Sequence, residues 1–428
     1  MIRIFERGKI KDEEIFARFE PVSDVEDIVK DIIANVRANG DKALKDYSLR
    51  FDNVDLDEFL VTQDEIQAGL NRIEPEFIAI LEEAAANIRA FHEKQVRNGF
   101  IMADKPGVIL GQRVTPLKRV GLYVPGGTAA YPSTVLMDSI PAKIAGVEEI
   151  VMVTPPGRDG GVNPYILAAA RVAGVGRIFK VGGAQAVAAL AYGTESVPGV
   201  DKIVGPGNAF VAEAKKQVFG RVGIDMIAGP SEVLILADGK SNPAFIAADL
   251  LSQAEHDKNA SAVLITESME LARAVQKELK EQLTKLLRED IAESSIENNG
   301  KIIVVRDLLE GIDVANRIVP EHMEICVDQP FDYLPLIRNA GSVFLGRYNA
   351  EPTGDYFAGP NHTLPTSGTA RFYSPLSVDD FVKKIQYSYY SKEALERDYD
   401  KISFFANREG LTAHARAVDI RFGKEDRD

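Results

Sequence analysis

The chain has 428 residues, 45% of them apolar and 27% charged, which is typical of a folded globular protein and excludes a disordered or collagen-like chain. At about 150 residues per domain, this length favours about three domains. Asp and Glu number 64 against 50 Lys and Arg, so the formal net charge is −14 and non-specific binding to nucleic acid is disfavoured. The single cysteine, Cys326, excludes an internal disulfide and fits a reducing compartment, so we expect a cytoplasmic location.

Targeting and membrane segments are not expected. Residues 1–9 carry charges where a secretory leader needs an apolar run. No run of 18 apolar residues is present, so no membrane span is predicted.

The first hundred residues predict helices. Ser23 and Glu26 have the spacing of a capping box, and apolar residues then recur along one helix face from Val25 to Val36. Gly40 is a plausible stop signal for this helix. A second helix is predicted over residues 74–95.

From residue 120 onward, short apolar runs alternate with helical segments. The predicted strands are residues 120–124, 149–153, 177–181, 202–204, 233–237, 262–265, 301–305, 323–327 and 342–345. The predicted helices are residues 133–145, 164–173, 184–191, 209–219, 242–255, a long helix ending near 287, and 308–318. This alternation indicates βαβ units and parallel sheets.

We therefore predict an α/β fold with two Rossmann-like parallel-sheet domains. The predicted division has an N-terminal segment (1–20), a first α/β domain (21–122 with 232–375) that carries the metal and catalytic residues, a second α/β domain (123–231) on the nucleotide side, and a C-terminal arm (376–428). The N-terminal segment and the arm are both expected to be helical, the arm over residues 378–422.

Several histidines lie beside other polar groups. On a helix, Gln253 and His256 share a face and both can reach one divalent metal, although this segment taken alone favours a solvated helix end. Residues 351–366 form a Pro- and Gly-rich loop that carries Asp355 and His362. Glu321 and His322 offer two adjacent proton-transfer groups, with a solvated turn as the alternative. A lone helical histidine such as His414 is usually structural.

Glycine-rich turns follow three predicted strands, at residues 124–127, 181–185 and 204–208. Open α/β sheets bind ligands at such turns, but no G-x-G-x-x-G fingerprint for a dinucleotide is present. Cys326 lies in an apolar run and is best interpreted as a small buried apolar residue.

Together these segments resemble the histidinol dehydrogenase family over essentially the whole chain. The resemblance is carried, in the family's order, by residues 205–208, 229–232, 252–257, 320–322, 355–366 and 411–414. It implies an NAD-dependent zinc enzyme that oxidises L-histidinol to L-histidine, the last step of histidine biosynthesis. That family's nucleotide domain also lacks the standard glycine fingerprint.

The resemblance also implies roles for individual residues. The implied zinc ligands are Gln253, His256, Asp355 and His414, and the implied acid/base pair is Glu321 and His322. The implied substrate contacts are Ser231, Gln253, His256, His322, Asp355, His362, Glu409 and His414, and the implied NAD contacts are Tyr123, Gln185 and Asn208. It further implies a homodimer with exchanged C-terminal arms, in which His414 and Glu409 complete the partner's site.

Two oxygen and two nitrogen ligands suit zinc, which would then orient an imidazole and an amine of the substrate. Three alternatives remain open at this point. The first is a related zinc/NAD dehydrogenase for another polyol, such as a sulfonated diol, although Glu409 favours a cationic substrate. The second is a zinc hydrolase in which Glu321 activates water, and the third is a non-catalytic metal-binding protein.

Overall fold

A computed structural model describes residues 1–18, 25–126 and 130–423. Ser23 of the predicted capping box and Gly127 of the first glycine-rich turn lie outside these residues. The chain divides into two compact units. The larger comprises Met1–Val96 with Leu117–Phe381, and the smaller comprises Arg97–Pro116 with Val382–Asp428.

The strands, numbered in chain order within the described residues, form three sheets. They are β1 Arg3–Glu6, β2 Phe100–Lys105, β3 Val108–Pro116, β4 Arg119–Tyr123, β5 Glu149–Thr154, β6 Arg177–Lys180, β7 Lys202–Val204, β8 Gly223–Ile224, β9 Glu232–Ala237, β10 Ser261–Thr266, β11 Lys301–Val304, β12 His322–Cys326, β13 Ser342–Leu345 and β14 Val382–Tyr390.

The α-helices are numbered in the same way. They are α1 Asp12–Phe16, α2 Glu26–Tyr47, α3 Gln63–Leu70, α4 Pro75–His92, α5 Pro132–Ala145, α6 Pro164–Ala173, α7 Gly183–Tyr192, α8 Ala209–Val218, α9 Pro243–Ala254, α10 Met269–Leu283, α11 Glu289–Asn298, α12 Leu308–Ile318, α13 Pro352–Tyr356, α14 Lys392–Arg408 and α15 Thr412–Asp419. No described helix is both long enough and apolar enough to cross a bilayer.

The first sheet of the larger unit has six parallel strands in the order β1-β11-β10-β9-β12-β13. One face packs on α9, α10 and α11, and the other packs on α1 and α12. Strands covered on both faces need unbroken apolar runs, which explains why the sequence predicted β9 to β13 within one or two residues. The N-terminal segment, expected to be helical, instead begins with β1 at the edge of this sheet.

The second sheet has five parallel strands in the order β6-β5-β4-β7-β8. Helices α3 to α6 cover one face, and α2, α7 and α8 cover the other. The predicted domain boundaries differ from this arrangement, because β4 lies in the five-stranded sheet and α2, α3 and α4 pack on it. The apolar stripe of α2, which includes Val29 and Ile33, packs there and not on the six-stranded sheet. Gly40 does interrupt α2, since its backbone has φ 52° and ψ −132°.

The smaller unit contains an antiparallel sheet in the order β14-β3-β2, with α14 and α15 packed on each other. The expectation that residues 378–422 are helical throughout is therefore wrong for β14. This segment is rich in β-branched and aromatic residues, and its partner β3 lies more than 260 residues earlier in the chain. Helix propensity was outweighed by a pairing that local sequence does not reveal.

Candidate functional site

The predicted metal and catalytic residues of the larger unit lie at the amino edge of the six-stranded sheet. Glu321 and His322 stand at the start of β12, Ser231 directly precedes β9, and His256 lies in the connection between α9 and β10. Because β12 pairs with β9, His322 lies opposite Val233, directly beside the start of β9. The turn at Glu321 and His322 is buried and not solvated, with Glu321 6% and His322 3% exposed.

The protonation state of His322 follows from its surroundings. Its Nδ1 lies 3.0 Å from the backbone oxygen of Glu232, which only accepts hydrogen bonds, so Nδ1 carries the proton. Burial lowers the pKa of His322 to about 4, so the ring is neutral at physiological pH. The lone pair on Nε2 faces Glu351 Oε1 at 3.6 Å and Asp355 Oδ1 at 3.9 Å. A neutral imidazole in this state is ready to accept a proton.

Strand β9, which contacts His322, also contacts Glu321. Its Oε2 accepts a hydrogen bond of 2.9 Å from the backbone N–H of Glu232. Burial, with smaller contributions from the nearby Glu232 and Asp355 carboxylates, raises its pKa well above the usual value for glutamate. Once ionised, such a carboxylate is a stronger base than an exposed glutamate.

The Pro- and Gly-rich loop positions Asp355 and His362. Asp355 lies in the short helix α13, and its backbone oxygen accepts a hydrogen bond of 3.1 Å from His362 Nδ1. The hydroxyl of Thr134, on α5, lies within hydrogen-bond distance of His362 Nε2, at 3.1 Å. These two contacts fix the orientation of the His362 ring, and burial lowers its pKa. His256 lies close enough to influence the pKa of both His322 and His362.

Several buried acceptor atoms in this region make no hydrogen bond within the described residues. They include Gln253 Oε1, His322 Nε2, Glu351 Oε1 and Glu232 Oε2. Ligand atoms of His322, Glu351 and Asp355 also lie within 4.8 Å of one another. Orphaned acceptors are costly to bury, so this set of oxygen and nitrogen donors fits a divalent cation. A cavity of about 80 Å³, lined by His322, Asp355 and His362 among others, opens beside them.

Glu351 was missed from the sequence. It lies one helical turn before Asp355, and burial together with the Asp355 charge raises its pKa to about 10. The loop was predicted to be irregular, so the i, i+4 relationship within α13 was not visible. Had residues 351–356 been predicted as a helix, Glu351 would have been placed on the same face as Asp355 and recognised as part of the site.

The predicted NAD contacts lie at the carboxyl edge of the five-stranded sheet. Tyr123 ends β4, Gln185 lies in α7 after β6, and Asn208 caps α8 after β7. Strand order reverses between β4 and β7, and such a switch point is where open α/β sheets bind ligands. The Tyr123 hydroxyl accepts a hydrogen bond of 3.0 Å from the Gly183 N–H, and burial raises its pKa to about 12.

Glu409 and His414 belong to the smaller unit. Glu409 follows the last residue of α14, and His414 lies in the first turn of α15. Both side chains are exposed.

Comparison with known proteins agrees with the resemblance. Residues 17–422 match the model of the histidinol dehydrogenase family. The chain is 57% identical over 401 residues to a histidinol dehydrogenase of Listeria monocytogenes serotype 4b, covering 94% of each chain, and 58% identical over 398 residues to that of Lactiplantibacillus plantarum, covering 93% of each. The crystal structure of histidinol dehydrogenase from Elizabethkingia anophelis superposes with a TM-score of 0.94 at 38% identity, covering 98% of both chains. The chain therefore belongs to the histidinol dehydrogenase family.

Proposed function

We propose that this chain catalyses the zinc-dependent, NAD-linked oxidation of L-histidinol through L-histidinal to L-histidine, the last step of histidine biosynthesis. The observation that carries the proposal is the neutral, buried His322, whose Nε2 faces the carboxylates of Glu351 and Asp355. A proton acceptor beside a metal-binding set is what an alcohol dehydrogenase of this kind requires. Family membership supports this substrate over the sulfonated diol.

In this proposal, Gln253, His256 and Asp355 hold the zinc, and His414 completes the set. Bound zinc would supply a template that chelates the imidazole and the amine of histidinol and fixes the orientation of its alcohol carbon. The orphaned Gln253 oxygen supports the assignment, because a buried amide oxygen without a partner gains most from a cation. Ser231 and His362 contact the substrate, and Glu409 pairs with its positive charge.

His322 is assigned the role of base in both oxidations, and Glu321 that of activating the water. His322 Nε2 accepts the hydroxyl proton as hydride leaves the alcohol, returns it to the aldehyde oxygen as water adds, and accepts a proton again as hydride leaves the hydrate. Glu321, as a carboxylate, takes a proton from the water that adds to the aldehyde. Each oxidation delivers one hydride to NAD, so one histidinol reduces two NAD molecules. The switch point between β4 and β7, with Tyr123, Gln185 and Asn208, is the proposed NAD site.

A homodimer is part of the proposal, with His414 and Glu409 acting in the partner's site. The smaller unit supports it, because every residue of β2 is exposed, including Phe100, Ile101 and Met102. Large exposed apolar residues in one small unit are typical of a protein–protein interface. A cytoplasmic location fits both the supply of NAD and the lone cysteine.

Product analysis with histidinol, NAD and zinc tests the function. We expect histidine to form with two equivalents of reduced NAD, and no turnover of a sulfonated diol. If NAD were reduced with the sulfonated diol and not with histidinol, the diol would be the substrate. Hydrolysis without NAD, or metal binding without any turnover, would instead support the two remaining alternatives.

A further inference from the structure

A buried pair of carboxyl groups lies behind the candidate site. Glu324, in β12, is fully buried, and its Oε1 accepts a hydrogen bond of 2.9 Å from the backbone N–H of Glu351. Its Oε2 lies 3.8 Å from the thiol of Cys326, which donates to it. The side chain of Asp249, in α9, is hydrogen-bonded to Glu324. One side chain thus joins the strand, the helix and the loop.

Each residue that makes these contacts shares a helix face or a strand face with a residue of the proposed site. Asp249 precedes Gln253 by four residues on α9, so the two share a helix face. Glu324 follows His322 by two residues on β12, so they lie on the same face of the sheet. Glu351 precedes Asp355 by four residues at the start of α13. The Asp249–Glu324 pair therefore links the three elements that carry Gln253, His322 and Asp355, which are the proposed base and two proposed metal ligands.

The bond between Asp249 and Glu324 requires a shared proton, because two carboxylates have no hydrogen to donate. The two carboxyl groups keep this proton because a second negative charge would be costly to bury. An amide placed on either side chain still provides one donor and one acceptor, whereas an apolar side chain provides neither.

We propose that Asp249 and Glu324 are positioning residues that hold α9, β12 and α13 in register, so that Gln253 and Asp355 meet the same metal ion beside His322. This inference rests on the proposed zinc site and deepens it. Neither residue is assigned a contact with metal or substrate. Groups that orient metal ligands in this way typically change metal affinity by about 10- to 100-fold when removed.

The test measures zinc affinity of the full-length protein by competition with a chromogenic chelator, alongside the thermal midpoint of the metal-free form. Asp249→Leu and Glu324→Leu should each weaken zinc binding by about 10- to 100-fold. Asp249→Asn and Glu324→Gln should stay within about threefold of wild type, because each keeps the hydrogen bond. Rescue by the amides separates positioning from general loss of packing.

Ser295→Ala is the matched control. The Ser295 hydroxyl is fully buried and donates to the Ala260 backbone oxygen at 2.8 Å, so its loss lowers stability without touching the pair. It should leave zinc affinity unchanged. If Glu324→Leu does not fold, the half-buried Asp249→Leu carries the test.

Two results would overturn the proposal. Wild-type zinc affinity in the leucine variants would mean that the pair does not position the ligands. A tenfold loss in the amide variants would mean that charge, not the hydrogen bond, matters. Gln253→Ala reports separately on the zinc site, because unchanged affinity there would refute the ligand assignment itself, whereas a loss there with unaffected leucine variants refutes only the positioning role.

Discussion

The ring Nδ1 of His322 and the backbone oxygen of Glu232 lie 3.0 Å apart, across two neighbouring parallel strands. Because the carbonyl can only accept, the imidazole proton is fixed on the side away from the cavity. The tautomer of the proposed base is thus set by a main-chain acceptor on the neighbouring strand. Replacing the strand residue at 232 would leave this contact intact, since it comes from the main chain.

His322→Asn should slow both oxidation steps by about 10²- to 10⁴-fold, the usual contribution of a general base. Reduction of NAD, measured separately with histidinol and with histidinal, checks this. If His322→Asn slowed only one step, a different residue would have to be the base in the other step.

The pH dependence of the wild-type rate should be flat across neutral pH as far as His322 is concerned. Burial lowers its pKa to about 4, so the neutral form that accepts a proton dominates above that pH and is lost as pH falls through it. An exposed histidine would instead give a rate that rises between about pH 6 and 7. An acid limb near pH 6.5 that disappears in His322→Asn would contradict the burial argument.

Glu321→Gln should slow the oxidation of histidinal more than that of histidinol. Glutamine cannot take a proton from water, and only the second step needs water to add. Supplying the aldehyde directly exposes the defect, and Glu321→Asp serves as the control that keeps a carboxylate. Equal slowing of both steps would argue against water activation by Glu321.

Removing the metal should abolish turnover, and zinc should restore it. His256→Asn removes one proposed ligand, so we expect zinc affinity to fall about a hundredfold, measured by metal content after dialysis against chelator. Full activity of metal-free wild-type protein would contradict the metal assignment.

Mixing the inactive variants His322→Asn and His414→Asn should restore activity if the smaller unit acts in the partner's site. Random exchange makes about half the dimers mixed, and each mixed dimer has one intact site, so about a quarter of wild-type activity should return. A mixture that stays inactive, with chain exchange verified by mass spectrometry of tagged subunits, would indicate that His414 acts within its own chain.

Asp138 predicts a pH-dependent stability. It is fully buried in α5, accepts a hydrogen bond of 2.7 Å from the Thr363 hydroxyl, and has its pKa raised to about 8 by burial. The folded state therefore holds its proton more tightly than the unfolded state, and this stabilisation is complete below about pH 4 and is lost as pH rises through 8.

Asp138→Asn cannot ionise, so its free energy of unfolding should fall less between about pH 5 and pH 9 than that of wild type. Each unit of pKa difference corresponds to about 1.4 kcal/mol. Urea unfolding at about pH 5, 7 and 9 measures the difference, and parallel curves for the two proteins would refute the burial effect.

The parallel strands and their helices were predictable because each produces a local signal. Strands covered on both faces, such as β9 and β10, are apolar runs, and glycine-rich turns mark the ends of β4, β6 and β7. β1 and β14 gave weaker signals, because each pairs with a strand far away in sequence. The location of α2 on the five-stranded sheet was equally hidden, since an apolar stripe does not identify its partner.

The candidate site divides in the same way. Gln253, His256 and Asp355 could be proposed as metal ligands from the sequence, because the family resemblance rests on short recognisable segments that contain them. Glu351 and Glu324 were not, since their roles depend on contacts between β12 and α13 that no spacing reveals. Side chains that support a site through tertiary contacts thus need the fold before they can be recognised.

The pairing of β1 with β11 has a consequence for synthesis of the chain. Arg3–Glu6 align with Lys301–Val304, so β1 leaves the ribosome well before its partner, which follows about 300 residues later. At about 5 to 20 residues per second, β1 waits roughly 15 to 60 s before that partner exists. The five-stranded sheet, drawn from residues 119–224, is available well before then. Translation speed over residues 7–304 thus sets how long the unpaired β1 is exposed to chaperones in the cell.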